Sequence, residues 1–89
     1  MKPFLISYDL DKPGQNYEVL TDRLKQLGAV KVLYSEWILV SSESAAALRD
    51  DLRAYVDSND MLLVLALTGE AAWTKLMIGN SEFKQALAA

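Results

Sequence analysis

The chain has no cysteine and no histidine. Without cysteine there is no disulfide framework, no thiolate metal site and no thiol nucleophile. Without histidine, the commonest transition-metal ligand and the commonest general base near neutral pH are both missing. Any chemistry falls to carboxylates, hydroxyls, lysine or arginine, and the metals that suit carboxylate oxygens are hard cations such as Mg²⁺, Mn²⁺ or Ca²⁺. Ser7, Ser35 and Ser41 have no imidazole to activate them, which argues against nucleophilic hydrolase chemistry. Basic charge is also scarce. A net charge of -3 and a pI near 4.7 argue against a protein that coats nucleic acid by bulk electrostatics. No run approaches the roughly 18 apolar residues needed to span a bilayer. Met1-Lys2-Pro3 leads straight into a strand-like run with no signal-peptide pattern, so a cytoplasmic location is expected.

What is present reads as one folded domain of 89 residues with 52% hydrophobic content, small enough that association with a second copy is expected. Phe4 to Leu10 is an apolar run ending in Asp9-Leu10, which predicts a first strand. Asp11-Lys12-Pro13-Gly14-Gln15 supplies turn chemistry. It has one glycine and no Gly-Lys-Ser/Thr sequence, so it is not a phosphate loop. Asn16 is a suitable cap for a helix over about 16–27, with Tyr17, Leu20, Leu24 and Leu27 on one face and Gly28 as its stop. Residues 29–41 predict a hairpin turning at Ser35-Glu36. A second helix follows to about Val56, capped by Ser41, Ser42 or Ser44, with Ser42 preferred, and with Ala45, Leu48, Leu52 and Tyr55 on one face.

Met61 to Leu67 is a continuous apolar run ended by Thr68-Gly69, too short for a buried helix and read as a central or core strand. Residues 71–78 fit either a short helix or an added strand. Gly79-Asn80 breaks that segment, and Ser81 is a candidate cap for a last helix carrying Phe83 and Leu87. The order strand, helix, strand, strand, helix, strand predicts an α+β, ferredoxin-like βαββαβ sandwich. Its four-stranded antiparallel sheet would carry two helices on one face, with a core over about 3–69 and a C-terminal extension over about 70–89. Fold alone assigns no function.

Asp9 is the candidate functional residue, because a carboxylate at the end of a buried strand calls for a reason. It reads either as a metal ligand or acid/base group, or as a turn opener accepting backbone N–H bonds. Asp11, two residues on, would share its side if the chain stayed extended. Asp50-Asp51 and Asp57/Asp60 read as a solvated helix face and a loop. Tyr8, Tyr34 and Trp37 could stack on bases, but the aromatic motif of RNA-recognition domains is missing, which favours packing or a subunit contact.

Ile6-Ser7-Tyr8-Asp9-Leu10, a helix ending in Leu27-Gly28-Ala29, then Val32-Leu33-Tyr34-Ser35-Glu36-Trp37-Ile38-Leu39 and a serine-capped helix resemble the CRISPR-associated protein 2 family. Relatives of that family include the virulence-associated protein D ribonucleases and small proteins of the same group, and the likeness covers roughly residues 4–68. The resemblance implies a ferredoxin-like homodimer with Asp9 of each subunit near the dimer axis, where in some relatives that Asp is proposed to hold a divalent metal, Mg²⁺ or Mn²⁺, for phosphodiester cleavage. Two symmetry-related carboxylates would repel unless a cation lay between them or one took a proton. The acidic balance after the first strand departs from members that bind duplexes and weakens nucleic acid as a partner. Two main functions stay open: a metal-dependent nuclease centred on Asp9, or a non-catalytic homodimeric interaction or adaptor module for a protein partner or small ligand. A toxin-like ribonuclease is a third.

Overall fold

β1 (Lys2–Asp9) is central in the sheet, although it is the first element of the chain. The computed structural model describes residues 1–11 and 17–89. After β1 come α1 (Tyr17–Gln26), β2 (Val30–Leu33), β3 (Glu36–Ser41), α2 (Ala45–Arg53), β4 (Met61–Ala66) and α3 (Asn80–Leu87). The strands lie in the order β2-β3-β1-β4, and every neighbouring pair is antiparallel. The result is an α+β architecture of four antiparallel strands and three helices, compatible with a ferredoxin-like fold.

Strand alternation divides the residues between two faces. Phe4, Ile6 and Tyr8 of β1 and Trp37 and Leu39 of β3 turn toward Leu20 and Leu24 of α1 and Leu48 and Leu52 of α2. This main core is closed at the end of α1 by Gly28, whose φ of 89° is the left-handed conformation that glycine adopts freely. The Ala29 N–H reaches the Leu24 carbonyl and the Gly28 N–H reaches that of Lys25, both at 3.0 Å. That pattern satisfies helix-end carbonyls and turns Ala29 into the core beside Leu24. The proposed Asn16 cap and the turn after Asp11 lie outside the described residues.

On the opposite face, Val32 and Ile38 pack with Phe83 of α3. Residues 67–79 form neither a helix nor a strand. They cross this face irregularly, held by Trp73, Leu76 and Ile78. Trp73 meets the Phe83 ring edge-on at a centroid distance of 4.7 Å and donates its indole N–H to Asn80 Oδ1 at 2.9 Å. Gly69, at φ 97°, makes the bend that starts this crossing.

Several sequence expectations shift. The hairpin turns at Tyr34-Ser35 instead of Ser35-Glu36, because a register irregularity between Lys31 and Leu33 brings Leu33 opposite Glu36. Tyr34 is consequently 82% exposed, with Lys31 Nζ 5.5 Å from its ring centroid. Ser44, rather than Ser42, caps α2 by accepting from the Ala47 N–H at 3.0 Å. α2 ends at Arg53, where Ala54 and Tyr55 donate to the carbonyls of Asp51 and Leu52 in a tightened last turn. α3 starts at Asn80 with Gly79 as its cap residue, so Ser81 lies within the first turn. The apolar run of β4 is an edge strand, not a central one, because β1 takes the place between β3 and β4.

Asp51, expected on a solvated face, ties the two helices together. Arg23 Nε donates to its Oδ1 at 2.8 Å and Arg23 Nη2 to its Oδ2 at 2.5 Å, a bidentate pair with Arg23 also 5.6 Å from the Tyr55 ring centroid. The Arg23 hydrogen bonds hold the Asp51 carboxyl below its ordinary value, against an opposing contribution from desolvation. A carboxyl whose folded pKa is depressed adds stability that is full above its unfolded value and is lost as pH falls through the folded one. Asp51→Asn should therefore lower the melting temperature at pH 7, by less in high salt because the pair is part-exposed. The deficit should shrink to nothing once the wild-type carboxyl is protonated. Thermal melts of both proteins from pH 7 to pH 2 check this, and a constant difference across that range would show that the pair is not the cause.

Candidate functional site

The last turn of β1 places its side chains in two environments. Tyr8 points into the main core, where its hydroxyl accepts the Trp37 indole N–H at 3.1 Å. Burial raises the Tyr8 pKa, with the Trp37 hydrogen bond pulling the other way. Tyr8 and Trp37 are therefore packing residues and offer no stacking surface. Ser7 and Asp9 face the other way, on the side of the sheet that carries residues 67–79. Asp9 is exposed and sits opposite Met61 in the β1–β4 register, and among the described residues its carboxylate makes no hydrogen bond or ion pair.

Asp11 does not join it. β1 stops at Asp9, Leu10 turns into the core, and the Asp11 N–H donates to Asp60 Oδ1 at 2.7 Å. The other oxygen of Asp60 accepts the Asp57 N–H at 2.7 Å. Asp60 is thus a carboxylate that organises a turn, joining the end of β1 to the start of β4. Among the described residues, no group of three His, Cys, Asp or Glu side chains is placed to hold a metal.

The register reveals a polar pair that the sequence reading missed. Ser7 and Glu36 are cross-strand partners, and the Ser7 hydroxyl donates to Glu36 Oε2 at 3.1 Å. The sequence pattern puts Glu36 in the turn, and the one-residue shift of the hairpin carries it into β3. Glu36 and Asp9 therefore lie diagonally on the same face, about 7 Å apart by strand geometry.

Next to this polar end the face is apolar and open. Met61, Leu63 and Leu65 alternate along β4 on the same side as Ser7 and Asp9, and they are 68%, 53% and 38% exposed. Residues 67–79 and α3 cover Leu5, Val30, Val32 and Ile38 but leave these three side chains uncovered. A contiguous apolar patch rimmed by polar groups is the usual form of a protein contact surface.

No protein-family model matches the chain. Among the described residues, no helix is long and apolar enough to cross a membrane.

Proposed function

We propose that this chain is a ferredoxin-like homodimeric interaction module of the CRISPR-associated protein 2 type, which acts in the cytoplasm by presenting a paired sheet to a protein partner. The open row of Met61, Leu63 and Leu65 beside Ser7, Glu36 and Asp9 carries this reading. A small domain gains most from covering such a surface with a second copy of itself, since a two-fold contact is self-complementary. The acidic net charge favours a protein partner over a phosphate backbone.

Sedimentation equilibrium tests the dimer. A concentration-dependent dimer at micromolar protein is expected, and Leu63→Glu should leave a folded monomer, because it places a charge in the middle of the contact. A wild-type protein that stays monomeric at every concentration would end this reading.

A second reading is metal-assisted phosphodiester hydrolysis by Asp9. It is supported by the placement of Asp9 and Glu36 on one open face, where a second copy would bring further carboxylates. Labelled RNA and DNA incubated with Mg²⁺ or Mn²⁺ separate the two readings. The module predicts no cleavage. Metal-dependent cleavage that disappears in Asp9→Asn would establish the nuclease instead, and cleavage that survives it would point to another site or a contaminant.

A further inference from the structure

The two borders of the sheet differ. On β1, the Tyr8 N–H donates to the Ser35 carbonyl on the β3 side, whereas the Pro3 carbonyl accepts from Leu67 on the β4 side. Backbone groups of an antiparallel strand point alternately to its two neighbours. Leu5, Ser7 and Asp9 therefore bond Leu65, Leu63 and Met61, while Leu62, Val64 and Ala66 direct their N–H and C=O groups away from the sheet. Among the described residues nothing pairs with that outer row. The opposite border, β2, is only four residues long and irregular in register, and its Val32 carbonyl already accepts the Met77 N–H at 3.0 Å. β4 is six residues long and contains no proline and no charge. It lacks the features that normally protect an exposed edge from pairing.

Beside this edge runs α2. Two adjoining cavities of about 460 Å³ and 250 Å³ separate helix from strand, and both are bordered by Arg49 and Leu62. Ala45 and Ala46 are small enough to leave room for incoming side chains opposite Val64. Arg49 and Arg53 form a cationic rim, and both reach Asp50, at 3.0 and 3.9 Å. Asp57 and Asp60 occupy the far end of the larger cavity, so a carboxylate is favoured opposite Val64 and disfavoured toward Met61. We propose that the β4 edge receives an extended segment of another protein as a fifth strand, selected by an acidic side chain turned toward Arg49 and apolar side chains continuing the Leu63 and Leu65 surface.

Main-chain pairing would supply affinity and the alternating side chains specificity. A second copy is the poorer occupant. β4 carries no acidic residue to offer Arg49, and a two-fold β4 pair would bring the Arg49 side chains of both copies toward each other. The outward backbone groups and Arg49 lie off the open sheet face, so pairing at this edge does not require dimer formation.

The test is a titration with a blocked hexapeptide of alternating Glu and Val, followed by backbone amide NMR and amide exchange. The amides of Leu62, Val64 and Ala66 should shift and become protected. The Lys/Val counterpart should bind about fivefold more weakly, the factor expected for one exposed charge pair, and Arg49→Glu should reverse that preference. Val64→Pro removes an outward N–H without breaking a bond to β1, and should abolish binding while the β1 amides stay protected. Should that variant not fold, a Glu/Val peptide N-methylated at alternate residues does the same job from the ligand side and should not bind. Shifts centred elsewhere, equal binding of the Lys peptide, or binding that survives methylation in every frame would overturn the proposal. So would protection of the Leu62, Val64 and Ala66 amides that rises with protein concentration without peptide and persists in Leu63→Glu, which would make a second copy the occupant of the edge.

Discussion

Phe4→Ala should destabilise the protein by about 3–5 kcal/mol. Phe4 is 1% exposed on the central strand, level with Leu39 on one side and Ala66 on the other, and it faces the helix layer. Loss of the ring removes the apolar contact and leaves a cavity. Collapse is hindered because the sheet is held by hydrogen bonds on both sides of β1, and the neighbouring Ala66 has no side chain long enough to fill the space. Natural domains are stable by only about 5–15 kcal/mol, so the variant should sit near its folding threshold. Each kcal/mol corresponds to roughly 4–8 °C in melting temperature at this size. Urea denaturation followed by circular dichroism measures the loss as a lower midpoint with an unchanged slope. A loss under about 1 kcal/mol would mean that α1 and α2 do not close over β1 as described.

Phe83→Ala should have an effect of similar size but confined to one part of the molecule. Phe83 is the one buried residue of α3, and it joins Val32, Ile38 and Trp73 in a cluster separate from the main core. Truncation removes both its burial and the edge-on contact with Trp73, about 3 kcal/mol together. α3 and residues 67–79 should then come away from the sheet while Phe4, Ile6, Leu24 and Leu52 stay packed. Amide exchange is the decisive measurement. Protection along α3 should fall by about two orders of magnitude, while that of β1 changes little. A uniform loss of protection would show that the two clusters unfold as one unit.

The order of the elements could be read from the sequence because it is written in local periodicity. Leu20 and Leu24, and Leu48 and Leu52, declare their helix faces, and Gly28 declares a stop that the structure realises bond by bond. Lateral position is not encoded in that way. An apolar run such as 61–66 looks the same whether it lies at the centre or at the edge, and only the pairing of β1 with both β3 and β4 decides it. The irregular path of residues 67–79 has no period to detect, since its residues are placed by tertiary contacts with Val32, Ile38 and Phe83.

The same division holds at the candidate site. The exposed position of Asp9 at the end of a strand was foreseeable. The bonds between Ser7 and Glu36, and between Arg23 and Asp51, join residues 29 and 28 positions apart and depend on register. The serine preference failed for a local reason: Ser41 Oγ accepts the Glu43 N–H, which carries the chain one step past Ser42 and leaves Ser44 at the helix entrance.

The central place of β1 also governs how the protein can be made. Of the four strands of this sheet, β1 leaves the ribosome before the others, yet it needs two neighbours, and the second of these is not complete until Ala66. α1 can form early, but Leu20 and Leu24 have no finished sheet to rest on until β3 has turned back along β1. Such long closures make the chain a slower folder than a helical bundle of the same length. A nascent chain halted after α2 would expose the β4 side of β1, with Leu5, Ser7 and Asp9 offering their backbone groups to whatever strand is at hand. Completion of β4 moves that open edge outward by one strand, to Leu62, Val64 and Ala66.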